Sequence, residues 1–160
     1  MQVEDVEEVL AIERASFAAP WSRLAFLSEL LENERAVYLV AREEGAVIGY
    51  VGMWRILDEG HITNLAVHPD ARRRGVGRRL LEALCNLAIA RGLRRLTLEV
   101  RVSNSVAQHL YESLGFSVAG IRPGYYQDNQ EDALIMWRDL PTPGPRAGHE
   151  AAGSWEGAGA

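Results

Sequence analysis

Apolar residues along this chain fall into two rhythms, one helical and one alternating, and the changeovers between them mark out its elements. Val6, Val9, Leu10 and Phe17 recur at helical spacing, which predicts a first helix with Asp5 near its start. After a break at Ala18-Ala19-Pro20, Ser22 is placed to cap a second helix carrying Leu24, Leu27, Leu30 and Leu31 and ending around Asn33. Two β-type runs follow, 37–42 and 47–57, joined by Glu44-Gly45, so the economical reading is an antiparallel hairpin. Asp58-Glu59-Gly60 turns the chain again, and 61–67 reads as a strand that His68-Pro69-Asp70 stops. Leu80, Leu81, Leu84, Leu87 and Ala88 give one apolar face to a helix that opens near Arg78 and ends at Gly92. Leu96, Leu98, Val100 and Val102 then alternate with Thr97, Glu99 and Arg101, a strand over 95–102 that runs parallel to its predecessor because a helix intervenes. Ser103 or Asn104 can cap a short helix that stops before Gly115, and 116–121 and 133–138 read as closing strands. This is a mixed α/β domain over residues 1–140. From 141 to 160 the composition collapses to Pro, Gly and Ala without Val, Ile or Leu, which predicts a mobile tail.

Composition narrows the class. The chain is 48% hydrophobic and 24% charged, ordinary for one globular domain of 160 residues, which can bury a core without disulfides or metal. No stretch approaches the roughly 18 uninterrupted apolar residues of a membrane span, and the acidic N-terminus is unlike a secretory leader. A single cysteine, Cys85, excludes an intrachain disulfide framework and suits a reducing cytoplasm; beside Leu84 in a helix it reads as a small apolar packing group. His61, His68, His109 and His149 show no metal-ligand spacing, so no metal is expected.

Charge is distributed unevenly. The formal net charge is −5, yet five arginines crowd into residues 72–79, around Arg72-Arg73-Arg74-Gly75-Val76-Gly77. One compact basic spot suits a small polyanion or a single phosphorylated group better than a nucleic-acid backbone, which wants a wide basic face. Glycine-bared amides at a helix start supply the same preference, because they lack intrahelical partners and the helix dipole favours negative charge there. The spacing Arg-x-x-Gly-x-Gly is neither the dinucleotide fingerprint, since Leu80 stands where a third glycine would fall, nor the Walker loop, since no Gly-Lys-Ser/Thr follows.

Two side chains downstream could carry chemistry. Glu99 points opposite to Leu98 and Val100, near the C-terminal end of its strand, where ligands of open α/β sheets collect; the alternative is a carboxylate simply paired with Arg101 on the same face. Asn104, Gln108 and Tyr111 share one helix face, beside the more apolar stripe of Val106, Leu110 and Leu114, so Tyr111 is either a reactive phenol or a core residue with its hydroxyl satisfied.

The order strand, Arg-x-x-Gly-x-Gly, helix, strand with Leu98-Glu99-Val100, then Asn104 and Leu110 through Phe116, resembles the GCN5-related N-acetyltransferase (GNAT) superfamily over about residues 4–139. Within it, Leu98 through Asn104, Ser16-Phe17, Pro20-Trp21-Ser22 and the stretch from Tyr125-Tyr126 to Glu131-Asp132-Ala133 resemble the branch that acetylates the N-terminal alanine of a small-subunit ribosomal protein. The resemblance implies a mostly antiparallel sheet with one splayed parallel pair and about four flanking helices, and acetyl-CoA as co-substrate. It implies that Leu65, Ala66 and Val67 bond the pantetheine arm through their backbone, that Arg73, Arg74, Gly75, Val76, Gly77 and Arg78 hold the pyrophosphate, and that Asn104 also contacts the cofactor. Glu99 matches the general base and Tyr111 the general acid, while Phe17, Pro20, Trp21, Tyr125 and Tyr126 match the walls that receive a protein N-terminus. One departure stands out: the strand that usually precedes the first helix is missing or truncated, since Met1 stands almost at the helix.

Amide formation from a thioester needs a neutral amine, a home for the oxyanion and a proton for the departing thiolate. An α-amino group titrates near ~8 against ~10.4 for lysine, so an N-terminus is the better nucleophile at neutral pH. Partial burial is expected to raise the basicity of Glu99, the Val67 N–H is an oxyanion donor, and Cys85 is poorly placed for an acyl-enzyme, which favours direct transfer. A lysine or small-molecule amine as acceptor, and a non-catalytic acetyl-CoA sensor, are the competing readings.

Overall fold

A computed structural model describes residues 1–142; the predicted tail lies almost wholly outside them. Four α-helices and six strands follow in the order α1 (Val6–Ser16), α2 (Arg23–Leu31), β1 (Ala36–Glu43), β2 (Ala46–Ile56), β3 (Glu59–Val67), α3 (Val76–Ala90), β4 (Arg95–Arg101), α4 (Ser105–Ser113), β5 (Ser117–Arg122) and β6 (Ala133–Asp139). The strands form one sheet in the order β1-β2-β3-β4-β6-β5, antiparallel except for the β3–β4 pair. Among the described residues no strand precedes α1, and β1 is a sheet edge, with the Met1 amino group donating to the Tyr38 carbonyl at 3.1 Å.

Local chemistry explains most boundaries. Glu44 and Gly45 both adopt positive φ, 51° and 85°, as the tightest β-hairpin turn demands. The next turn sits at Leu57-Asp58, so β3 begins at Glu59 rather than His61. Ser22 caps α2 by accepting from the Ala25 N–H at 3.1 Å. The apolar stripe of α2 differs from expectation: Phe26 is its fully buried residue, while Leu24 and Leu31 face solvent. In α4, Val106 is likewise exposed. α3 starts two residues before Arg78, at Val76, because Gly75 takes the left-handed conformation that lets the loop turn directly into the helix.

Two apolar clusters lie on opposite faces of the sheet. α3 and α4 cover one, with Leu80, Leu81, Leu84, Tyr111, Met53 and Leu98 among its members; α1 and α2 cover the other, around Val9, Leu10, Phe26 and Tyr50. Strand parity assigns faces, since neighbours Tyr50 and Val51 enter opposite clusters. β3 breaks that parity. Met53 pairs with Ile62 and Gly52 with Asn64, so Thr63 is an extra residue with no partner, a β-bulge. Ile62 therefore packs on the α3 side, whereas Ala66, an even number of residues along, packs on the α1 side.

Candidate active site

The bulge coincides with the parting of the parallel strands. β3 and β4 pair over only Glu59↔Arg95, Gly60↔Leu96 and His61↔Thr97, and beyond these they splay. On its other side β3 stays paired with β2. The His68 N–H donates to Ile48 O at 2.8 Å, which makes Gly49↔Val67 a non-hydrogen-bonded pair. By the alternation of an antiparallel ladder, Val67 and Leu65 thus turn their N–H and C=O groups to the open edge, while Ala66 turns its groups to Tyr50. Two of the three predicted backbone contacts are available, and Ala66 is not. Arg72 reaches this edge: its Nε donates to Val67 O at 3.0 Å and its Nη2 to Ser16 Oγ at 3.1 Å.

The arginine-glycine loop lies at the mouth of the splay. Arg73 and Gly75 have φ of 62° and 79°, and the N–H groups of Val76, Gly77 and Arg78 fall in the first turn of α3, where no helical carbonyl precedes them. A Cβ built on Gly75 meets nothing within 4 Å, so this glycine answers a backbone requirement and leaves open space above the amides. Arg74 is ion-paired with Glu43, and Arg78 with Glu82, donating also to Ser113 Oγ at 2.8 Å.

A cleft of about 680 Å³ opens between the α1–α2 loop, the splayed strands and the segment 126–131. Glu99 stands in it, on the face of β4 opposite Leu98 and Val100. Its Oε2 lies 2.6 Å from His61 Nε2 and its Oε1 accepts from Arg122 Nε at 3.2 Å. Arg101, the expected alternative partner, is instead bound by Asp128, Asn129 and Glu131, with its guanidinium 3.9 Å from the centre of the Tyr126 ring. The acidity of Glu99 runs against expectation as well. Burial pushes its pKa up, but the hydrogen bond and charge of His61, with Arg122, outweigh that and hold it below the ordinary carboxylate value.

Tyr111 also lines the cleft, packed 5.9 Å from Phe116. Burial raises its phenol to about 12. Asn104 caps α4 by accepting from Ala107 N–H at 3.1 Å, and its amide nitrogen has no hydrogen-bond partner among the described residues. Of the five residues expected to form acceptor walls, Phe17, Trp21 and Tyr126 line the cleft; Pro20 and Tyr125 do not, Tyr125 standing edge-on to Tyr126 with ring centres 5.1 Å apart.

This strand-loop-helix arrangement has known counterparts. Residues 6–116 match the acetyltransferase (GNAT) family. The chain belongs to that family. This acetyltransferase is 41% identical over 138 residues to the ribosomal protein bS18-alanine N-acetyltransferase of Escherichia coli strain K12, covering 85% of this chain and 92% of the relative. A Bacillus subtilis (strain 168) protein provisionally given the same name is 47% identical over 137 residues, covering 86% of this chain and 91% of that protein. Among solved structures, the ribosomal-protein-S18-alanine N-acetyltransferase from Escherichia coli superposes with a TM-score of 0.83 at 38% identity, over 91% of this chain and 94% of that one. Ard1 from Thermoplasma volcanium gives 0.79 at 28%, over 88% and 95%. The donor used by the family is acetyl-CoA.

Two residues of this site, one behind Glu99 and one in the cleft itself, have no counterpart among the sequence-derived candidates. The spacing of His61 bears only on metal binding, whereas the register His61↔Thr97 puts it beside Glu99. Glu13 is a buried carboxylate on α1; it falls on the helical stripe of Val6, Val9 and Leu10, and a charge on an apolar stripe is a signal the sequence did carry. No helix among the described residues is long and apolar enough to cross a membrane.

Proposed function

We propose that this N-acetyltransferase acetylates the α-amino group of a polypeptide beginning with alanine, a small-subunit ribosomal protein, by direct transfer from acetyl-CoA in a ternary complex. One observation carries the reading: the open edge of β3 and the Glu99 carboxylate face a single cleft whose third wall is the Phe17–Trp21 loop. Relatives named for action on the alanine of ribosomal protein bS18, aligned over nearly their whole length, support this choice of acceptor.

The residues have distinct tasks. Leu65 and Val67 would bond the pantetheine arm as a pseudo-strand, and the first-turn amides of α3, with the loop from Arg73 through Gly75, would take the pyrophosphate. The free amide nitrogen of Asn104 would reach the same ligand. Acetyl-CoA supplies an activated acyl carbon; the chain supplies position and proton transfer. Glu99, ionised throughout the neutral range, would receive the ammonium proton of the incoming chain end, directly or through water, with His61 fixing its orientation. The Val67 N–H, turned to the open edge, would stabilise the tetrahedral oxyanion. Tyr111, kept protonated by burial, would give its proton to the departing thiolate. Phe17, Trp21 and Tyr126 would receive the apolar side chains of the acceptor.

Thioester consumption tests the reading with three peptides: one with a free N-terminal alanine, its Nα-acetylated form, and an Nα-blocked peptide containing lysine. Turnover with the first alone is expected. Turnover with the blocked lysine peptide would transfer the activity to side-chain amines, and none with any would remove peptides as acceptors. The enzyme has no lysine of its own, so amide-linked label retained by it, stable to hydroxylamine, would report only its own N-terminus, whereas hydroxylamine-labile label would report an acyl-enzyme at Cys85 and overturn direct transfer.

A further inference from the structure

Four carboxylates line the cleft: Glu99 has a task in the chemistry above, Asp128 and Glu131 hold Arg101, and Glu13 has neither a task nor a cation among the described residues. It is only 2% exposed, and among the described residues no arginine pairs with it. An ion without a counter-ion on the apolar stripe of a helix carries a desolvation cost that a leucine or methionine would avoid, so packing does not account for it. Its oxygens are divided between two elements. Oε2 accepts from the Tyr50 hydroxyl of β2, and Oε1 accepts from the main-chain N–H of Trp21 at 3.2 Å. Trp21 is the last residue before the α2 cap, and its ring lies 5.5 Å from Phe26, which itself packs edge-on against Tyr50 at 5.8 Å. One backbone bond and one aromatic stack thus fasten the end of a short loop whose other end is Phe17, and both Phe17 and Trp21 wall the cleft.

We propose that Glu13 is a positioning residue for the acceptor: its carboxylate, steadied by Tyr50, pins the Trp21 main chain so that Phe17 and Trp21 are preset to receive the incoming chain end. The proposal rests on the acceptor reading above. A carboxylate is the right group because an N–H···O⁻ bond is roughly twice as strong as its neutral counterpart. Burial pushes Glu13 up to about 7, the Trp21 N–H pulling the other way, so the pin is charged above neutrality and neutral below it. The titratable groups on the elements around it are Tyr50 of β2, Tyr38 of β1, Glu29 of α2 and Arg72, which reaches Ser16 from the turn after β3; β3 itself presents the uncharged Thr63 and Asn64.

Steady-state kinetics with the alanine-starting peptide, acetyl-CoA titration and Trp21 emission test this. Glu13→Ala is expected to raise the acceptor KM about tenfold, equivalent to about 1.4 kcal/mol, with kcat and acetyl-CoA affinity within about twofold of wild type. Glu13→Gln, which keeps a carbonyl oxygen for the Trp21 N–H, should recover most of that loss. Trp21 emission, taken as the difference between each protein and its Trp21→Phe version, should shift with a midpoint near pH 7 in wild type and stay flat with Glu13→Gln. An unchanged acceptor KM in Glu13→Ala, or a lowered kcat at unchanged KM, overturns the proposal. Should Glu13→Ala fail to fold, the emission of the Gln variant decides alone, and a pH shift persisting there refutes the pin. If the wild type turned over no peptide, the acceptor reading would fall, and the emission experiment would still decide whether Glu13 holds the loop.

Discussion

Glu99 is gripped from two sides by nitrogen, and that decides what kind of base it can be. His61 and Arg122 keep its carboxylate ionised well below neutrality, so its protonation limb in a pH–rate profile lies under the ordinary carboxylate value. The rise of kcat/KM between about pH 6 and about pH 8 should then follow the acceptor amine, about tenfold per pH unit. Glu99→Gln is expected to lower kcat by about 10²-fold or more and to keep the shape of that rise, with acetyl-CoA affinity little changed by calorimetry; wild-type turnover across the range would remove Glu99 from the chemistry. Tyr111→Phe separates reaction from packing in the same way. The Tyr111 hydroxyl has no hydrogen-bond partner among the described residues, so its loss should cost under about 1 kcal/mol in a denaturant melt while slowing a rate-limiting chemical step. Glu13 gives a third, thermodynamic signature. Its pKa rises on folding from 4.5 to about 7, so the folded state prefers the proton, and the stability this contributes is complete below about pH 4.5 and lost as pH climbs through about 7. Relative to Glu13→Gln, the wild type should lose roughly 2.5 kcal/mol between about pH 5 and about pH 8.5, measurable as a divergence of chemical-denaturation midpoints.

Elements explain why some of this was legible in the chain and some was not. Helices, hairpin and the parallel crossover were readable because each is written in a local period or a turn residue: Ser22 at a cap, Glu44-Gly45 at positive φ, Leu96-Leu98-Val100 in alternation. Glu99 and Tyr111 could be singled out for the same reason, since strand and helix parity already fixed their faces. The bulge at Thr63 has no such signature, and it is what permits His61 and Ile62 to sit on one pattern while Asn64 and Ala66 sit on the reverse. The partners of Glu99 and Arg101 come from β3, β5 and the loop before β6, distant in sequence, so neighbour spacing alone offers Glu99 only Arg101 as a partner and cannot show His61 or Arg122. The loop before α3 shows the opposite balance. Its glycines were visible, but only the backbone reveals that Gly75 needs left-handed φ with open space around it. Gly75→Ala should therefore cost about 1–2 kcal/mol of stability and leave acetyl-CoA binding measurable, whereas Gly75→Asp adds a negative charge above the first-turn amides and should abolish it in a calorimetric titration.

For the molecule as a whole, the question is how a chain of net charge −5 attracts a polyanion at all. Long-range steering works against it, and the arginines near the loop are partly spent, Arg74 on Glu43 and Arg78 on Glu82. Exposed pairs of this kind are worth little and are screened beyond about 8 Å at physiological salt. What remains is short-ranged: the N–H groups at the start of α3, aligned with the helix dipole, and the open edge of β3, neither of which depends on net charge. If main-chain donors dominate, acetyl-CoA affinity should fall less than about tenfold between 50 mM and 500 mM salt, far short of the roughly 10³–10⁵ loss that a duplex nucleic acid held by six or more phosphate contacts shows already between about 50 mM and 200 mM. Arg74→Gln should likewise weaken binding only a few-fold, because the Arg74 charge is already largely offset by Glu43 and the amides stay untouched, so that the loss left to read is mainly the repulsion of the freed Glu43 carboxylate, screened by solvent. A steep salt dependence, with a large loss on Arg74→Gln, would shift the binding energy from the backbone to the guanidinium groups and make Gly75 a spacer between arginines.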